Sequence, residues 1–84
     1  MVMKNNILNT DNDLYLIQFQ NSKKNQFICE WSEIQEPLKL IREGQILEDI
    51  FRYNPTERKF KRVPKKKYKL LFDMNTEAAI LLNL

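Results

Sequence analysis

Residues 14–20 (LYLIQFQ) and 26–31 (QFICEW) carry a large apolar or sulfur-bearing side chain at every odd position: Tyr15, Ile17 and Phe19, then Phe27, Cys29 and Trp31. A period of two is the signature of a strand buried on one face. Between the runs lies Asn21-Ser22-Lys23-Lys24-Asn25, which reads as a five-residue hairpin loop. With Gln20 opposite Gln26, Phe19 faces Phe27, Ile17 faces Cys29 and Tyr15 faces Trp31. The other side then pairs Gln18 with Ile28, Leu16 with Glu30 and Leu14 with Ser32. A slip of one residue would move the whole apolar set to the wrong face. The odd-numbered face is therefore the expected core, with Cys29 as a structural thiol inside it.

A second hairpin is expected from residues 46–53 and 58–63. Asn54-Pro55-Thr56-Glu57 joins them as a turn, since Pro presets φ and the Asn side chain accepts from the backbone ahead. With Tyr53 opposite Arg58, Arg52 faces Lys59, Phe51 faces Phe60, Ile50 faces Lys61 and Asp49 faces Arg62. Phe51 and Phe60 are expected inward. Arg52, Lys59 and Lys61 are then expected on the outer face, with Asp49 available to Arg62 on the other.

The remaining segments are less regular. Residues 2–9 are weakly apolar, and Thr10-Asp11-Asn12-Asp13 is turn-forming, so a short first strand is expected ahead of residue 14. In residues 32–42, Ser32 is a candidate helix cap, but Pro37 argues for one short helical turn followed by an extended crossing. Gly44 is the only glycine in the chain. It reads as a turn residue of positive φ. Pro64 ends the second hairpin. Residues 65–84 read either as one helix or as a strand with a short helix capped by Asn75. Together these elements predict one small α+β domain spanning residues 1–84. Its expected architecture is a strongly bent antiparallel sheet or SH3-like barrel of two to three hairpins with a C-terminal helix.

Charge is distributed unevenly over this scaffold. Residues 52–69 (RYNPTERKFKRVPKKKYK) hold nine of the fourteen basic residues against one acid, Glu57, while the formal net charge of the chain is +3. Residues 30–49 are acidic. The candidate binding residues are Arg52, Arg58, Lys59, Lys61, Arg62, Lys65, Lys66 and Lys67. Clustered cations of this kind neutralise phosphates and release counterions. Three aromatics in the stretch, Tyr53, Phe60 and Tyr68, are candidates to stack on a single-stranded base. The blander possibilities are a solvated face that guards a sheet edge, or docking on the chain's own acidic segment.

Catalytic classes find little support. The chain has no histidine and one cysteine, so histidine bases, intrachain disulfides and Cys/His zinc sites have no donors. A single glycine leaves no phosphate-cradling loop. No catalytic residue, metal ligand or cofactor is assigned. There is no apolar run long enough to span a membrane and no signal-peptide pattern at the start, so a cytoplasmic protein is expected. The expectation is a non-enzymatic module that contacts nucleic acid. The alternative is a regulator or inhibitor that docks on an acidic protein surface. The apolar residues 78–84 offer packing for a C-terminal helix or a homodimer contact.

Overall fold

The computed structural model describes residues 10–20 and 26–84. The expected strand before residue 10 and the expected loop at 21–25 lie outside the described residues. The period-two pattern produces β1 (Leu14–Phe19) and β2 (Gln26–Glu30), paired antiparallel. Tyr15, Ile17 and Phe19 are at most 1% exposed. The register differs from expectation, because Ile17 faces Phe27 and Tyr15 faces Cys29. The displacement is two residues, so each side chain keeps its face. Trp31 consequently leaves the strand and opens a 3₁₀ turn, Trp31–Glu33. Its ring still meets Tyr15, with centroids 5.3 Å apart, and stacks on Phe72 at 5.4 Å. Such pairs add about 0.5–1.5 kcal/mol each beyond their buried area.

The second hairpin comprises β3 (Leu47–Asn54) and β4 (Lys59–Arg62), and the sheet order is β2-β1-β3-β4. Its turn occupies residues 55–58, one position later than expected, so Arg52 faces Lys61 and Tyr53 faces Phe60. The Asn54 side chain accepts from the Thr56 and Glu57 N–H groups at 2.9 and 3.1 Å, as its turn chemistry requires. The sheet stays open, with β2 and β4 as its two edges, so the SH3-like barrel does not form. After Arg62 the chain turns into helices, and no described strand bridges the edges.

The face assignment of β3 is the main correction. Phe19 pairs with Leu47 and Gln18 with Asp49, which leaves Glu48 as an extra residue in a bulge. The bulge reverses the alternation of β3. Leu47 and Ile50, three residues apart, both join the core side, and Ile50 is fully buried. Phe51, Tyr53 and Phe60 therefore point away from the core, contrary to expectation. Arg52, Lys59 and Lys61 do share a face, but it is the face on which the core lies.

The segment after β2 is helical throughout rather than extended. Its elements are the 3₁₀ turn Trp31–Glu33, α1 (Gln35–Leu38) and a second 3₁₀ turn, Lys39–Glu43. Ser32 does not cap it. Pro37 is accommodated because a first helical turn has no intrahelical use for its missing N–H. Gly44 ends the run at φ +96°, the left-handed conformation that its lack of a Cβ permits. Residues 65–84 are not one helix, and the strand of the second reading does not form, but its short helix capped by Asn75 does. They form a 3₁₀ turn (Lys65–Lys67), α2 (Tyr68–Leu71) and α3 (Thr76–Leu81). Asn75 caps α3, accepting from the Ala78 N–H at 3.1 Å.

All three α-helices contribute to one core. Ile34, Leu38, Tyr68, Leu71, Phe72, Ala78 and Leu81 pack with Tyr15, Ile17, Phe19 and Ile50. The result is a two-layer α+β arrangement with the described helices on one side of the sheet. In the C-terminal segment Ala78 and Leu81 are buried, whereas Ile80 and Leu84 are exposed. No described helix is long and apolar enough to cross a membrane.

Candidate nucleic-acid interface

β3 carries Arg52, and β4 carries Lys59, Lys61 and Arg62. Arg52 sits opposite Tyr15 on the core side, where the buried stripe runs out. Its guanidinium lies 6.0 Å from the centre of the Tyr15 ring and donates to Asp13 Oδ2 at 2.9 Å. Asp13 is held in turn by Thr10, whose N–H and hydroxyl donate to its two oxygens at 3.1 and 3.0 Å. Partial burial pushes the Asp13 carboxyl up. The Thr10 hydrogen bonds and the Arg52 guanidinium outweigh that effect and leave its pKa below the ordinary value.

Lys61 stands directly across from Arg52. Like charges in that position repel, and each cation is answered by its own acid. Lys61 Nζ donates to Glu57 Oε2 at 3.0 Å, and Lys59 approaches the other oxygen of Glu57 at 3.7 Å. The two lysines lower the Glu57 pKa, Lys61 most strongly. Arg62 projects from the opposite face and lies 3.9 Å from Asp49. The contact with Asp49 is the one the sequence reading expected, but it lies on the face away from the core, and Arg62 pairs in register with Phe51.

Four of the eight expected residues converge. Arg52, Lys61, Arg62 and Lys67 line one open groove of about 430 Å³, together with Asp13 and Pro64. Three segments build it: β3, β4 and the 3₁₀ turn that Pro64 starts. The other four lie outside the groove lining. Arg58 holds the last position of the hairpin turn, at φ +57°. Lys59 follows it, and Lys65 and Lys66 are exposed on the same turn as Lys67. Arg58, Lys65, Lys66, Lys67 and Lys69 form no ion pair with a described residue. The cations not already matched by acids thus sit at the hairpin tip and on the turn after β4. The hairpin itself is largely neutralised.

Docking of the acidic segment onto the hairpin is confined to Asp49. Glu36 instead pairs with Lys39 at 3.3 Å. Among the described residues, no three acidic or cysteine side chains gather as a metal site. Burial first, then Glu33, pushes the Cys29 thiol up to about 11. Of the candidate stacking aromatics, Tyr68 is only 6% exposed and belongs to the core. Its hydroxyl is near the Ile50 backbone but makes no well-formed hydrogen bond. Tyr53 and Phe60 are half-buried on the face away from the core.

Asp13 is the member of the site that sequence reasoning missed. It reads as turn chemistry, and nothing local marks it as the partner of a residue 39 positions away. No family model, curated protein or solved structure matches the chain.

Proposed function

We propose that the protein is a non-enzymatic binding module that holds the phosphate backbone of a nucleic acid. The observation that carries this reading is the groove where Arg52, Lys61, Arg62 and Lys67 converge with Asp13 as the acid in its lining. One small anion would not use this many cations. Arg58, Lys65 and Lys66 extend the positive surface beyond the groove, on the same hairpin and on the same turn as Lys67. A repeating polyanion engages such an extended set, and each neutralised phosphate releases counterions. Contacts of this type position a strand without reading its sequence.

The test is binding of labelled single- and double-stranded RNA and DNA across a salt series. Neutralising about four phosphates of a single strand gives a log–log salt slope near −3, or about a 50-fold loss of affinity between 50 and 200 mM salt. Lys67→Ala reduces that slope by about 0.7. Absence of binding at low salt, or affinity independent of salt, overturns the reading. Equal displacement of the strand by poly-glutamate points instead to an acidic protein partner.

A further inference from the structure

The two edges of the sheet are guarded unequally. Trp31 donates its N–H inward to the Asp13 carbonyl at 2.8 Å, and in an antiparallel ladder the inward groups alternate along the strand. Phe27 and Cys29 therefore also turn their backbone groups toward β1, while Gln26, Ile28 and Glu30 turn theirs outward. No described backbone group meets them there. At the other edge Val63 donates inward to the Ile50 carbonyl at 2.8 Å, which leaves Phe60 and Arg62 turned outward. The next such position is Pro64, which has no N–H, and Lys59, Lys61 and Arg62 load that strand with charge. Proline and clustered cations protect an exposed edge. β2 has neither. It carries Ile28 at 63% exposure, and on its core side Phe27 and Cys29 line an open, mostly apolar groove of about 380 Å³ with Glu36, Pro37 and Leu40.

We infer that β2 docks on β2 of a second copy of this chain, antiparallel and about a two-fold axis at Ile28, so that the two sheets become one. The strand QFICE is complementary to itself in this register. Ile28 faces the partner's Ile28, and Gln26 faces the partner's Glu30 at each end. These are the outward positions, so every outward N–H and C=O of both copies gains a partner. The Gln26 amide donates to the carboxylate opposite, and no like charges stand across from each other. Glu30 accepts from the Asn12 amide at 3.4 Å, and a carboxylate has further lone pairs for the Gln26 amide. On the core side the partner's Phe27 falls beside Cys29, at the apolar groove. An isologous contact of this kind closes at two copies. Pairing β2 with β4 of another copy would meet Pro64 and would not close. A five-residue strand is a small contact, well under a standard interface, so the dimer dissociates on dilution. It is independent of phosphate binding, because Arg52, Lys61, Arg62 and Lys67 gather on the β3–β4 side of the sheet.

The experiment is sedimentation velocity of the full chain from about 10 µM to about 1 mM, the range in which so small a contact associates. The mass should rise from one copy to two and stop there. Gln26→Lys places a cation opposite the partner's Glu30 twice per dimer and should tighten dimerisation by about 2- to 30-fold. Gln26→Glu opposes two carboxylates at each end and should loosen it by a similar factor. General repulsion between copies predicts the reverse order, because the chain already carries a net charge of +3, which Gln26→Lys raises and Gln26→Glu lowers. Ile28→Lys sets two cations at the axis and should leave the protein monomeric, with folding checked by circular dichroism. The two Gln26 variants alter an exposed side chain, so their comparison stands even if Ile28→Lys unfolds. A monomer at every concentration overturns the inference. Growth beyond two copies assigns the contact to β2 on β4 and overturns the two-fold pairing. Loosening by Gln26→Lys, or a dimer that a folded Ile28→Lys protein retains, places the contact elsewhere and also overturns it.

Discussion

Replacing Asp13 with Asn separates the structural role of Arg52 from its binding role. The substitution keeps the shape of the side chain and one oxygen for Thr10, and it removes the charge that faces Arg52. Both partners are about three-quarters shielded, with side-chain exposures of 29% and 27%, and the contact is 2.9 Å. Exposed ion pairs contribute about 0–1 kcal/mol, while hydrogen bonds to charged groups contribute about 1.5–3 kcal/mol. A loss of about 1–1.5 kcal/mol at pH 7 lies between these limits. With a urea m-value near 1 kcal/mol/M for a chain of this size, the unfolding midpoint drops by about 1 M. The pH dependence has a definite sign. The Asp13 pKa is lowered on folding from the ordinary 3.8. Its contribution is therefore complete above about pH 5 and is lost as pH falls through the folded-state pKa. Wild-type and Asp13→Asn stabilities should converge as pH falls through that folded-state pKa. The same substitution removes the acid from the groove lining, so affinity for a single strand should rise as stability falls. Equal midpoints at pH 7, or a difference that does not shrink as the solution is acidified, would refute the pair as a source of stability. Weaker strand binding by a folded Asp13→Asn protein would refute the assignment of Arg52 to the phosphate groove.

Two stability measurements test the fold that positions the site. Ile50→Ala should cost about 2–4 kcal/mol, because Ile50 is fully buried. Phe51→Ala should cost clearly less in the same urea titration, and the reverse order would contradict the bulge at Glu48. Asn75→Ala removes the side-chain acceptor of the Ala78 N–H and should cost about 1 kcal/mol. The expected fall in Tm is about 4–8 °C, and an unchanged Tm would show that α3 does not depend on this cap.

Much of the scaffold can be read locally. Alternation at Tyr15, Ile17 and Phe19 places those residues in the core without any knowledge of their partner strand. Gly44 and Asn75 act through their own backbone neighbourhoods, so their roles can also be read from the chain. Asn54 satisfies its turn through its own side chain, even though the turn centre is displaced by one residue. Both hairpins are displaced from the expected register, yet within each the side chains expected to share a face still share one, because alternation is insensitive to a shift of two. β3 is different. Its two faces are both apolar, one through Ile50 and the other through Phe51 and Tyr53. The bulge that selects between them depends on pairing with β1. The crossing segment was underestimated because Pro37 is tolerated in a helix of four residues.

The amino-acid sequence by itself determined two period-two hairpins, a left-handed glycine, a capped final helix and a concentration of charge in residues 52–69. These depend on local conformational preference and residue type, which act over a few positions. Only the tertiary structure decided which face of β3 is buried, which cations are already matched by acids, and that Arg52, Lys61, Arg62 and Lys67 share a groove. Burial and ion pairing depend on distances between segments far apart in the chain, as between Asp13 and Arg52. The same long-range packing that buries Ile50 turns Phe51, Tyr53 and Phe60 to the other face of the sheet.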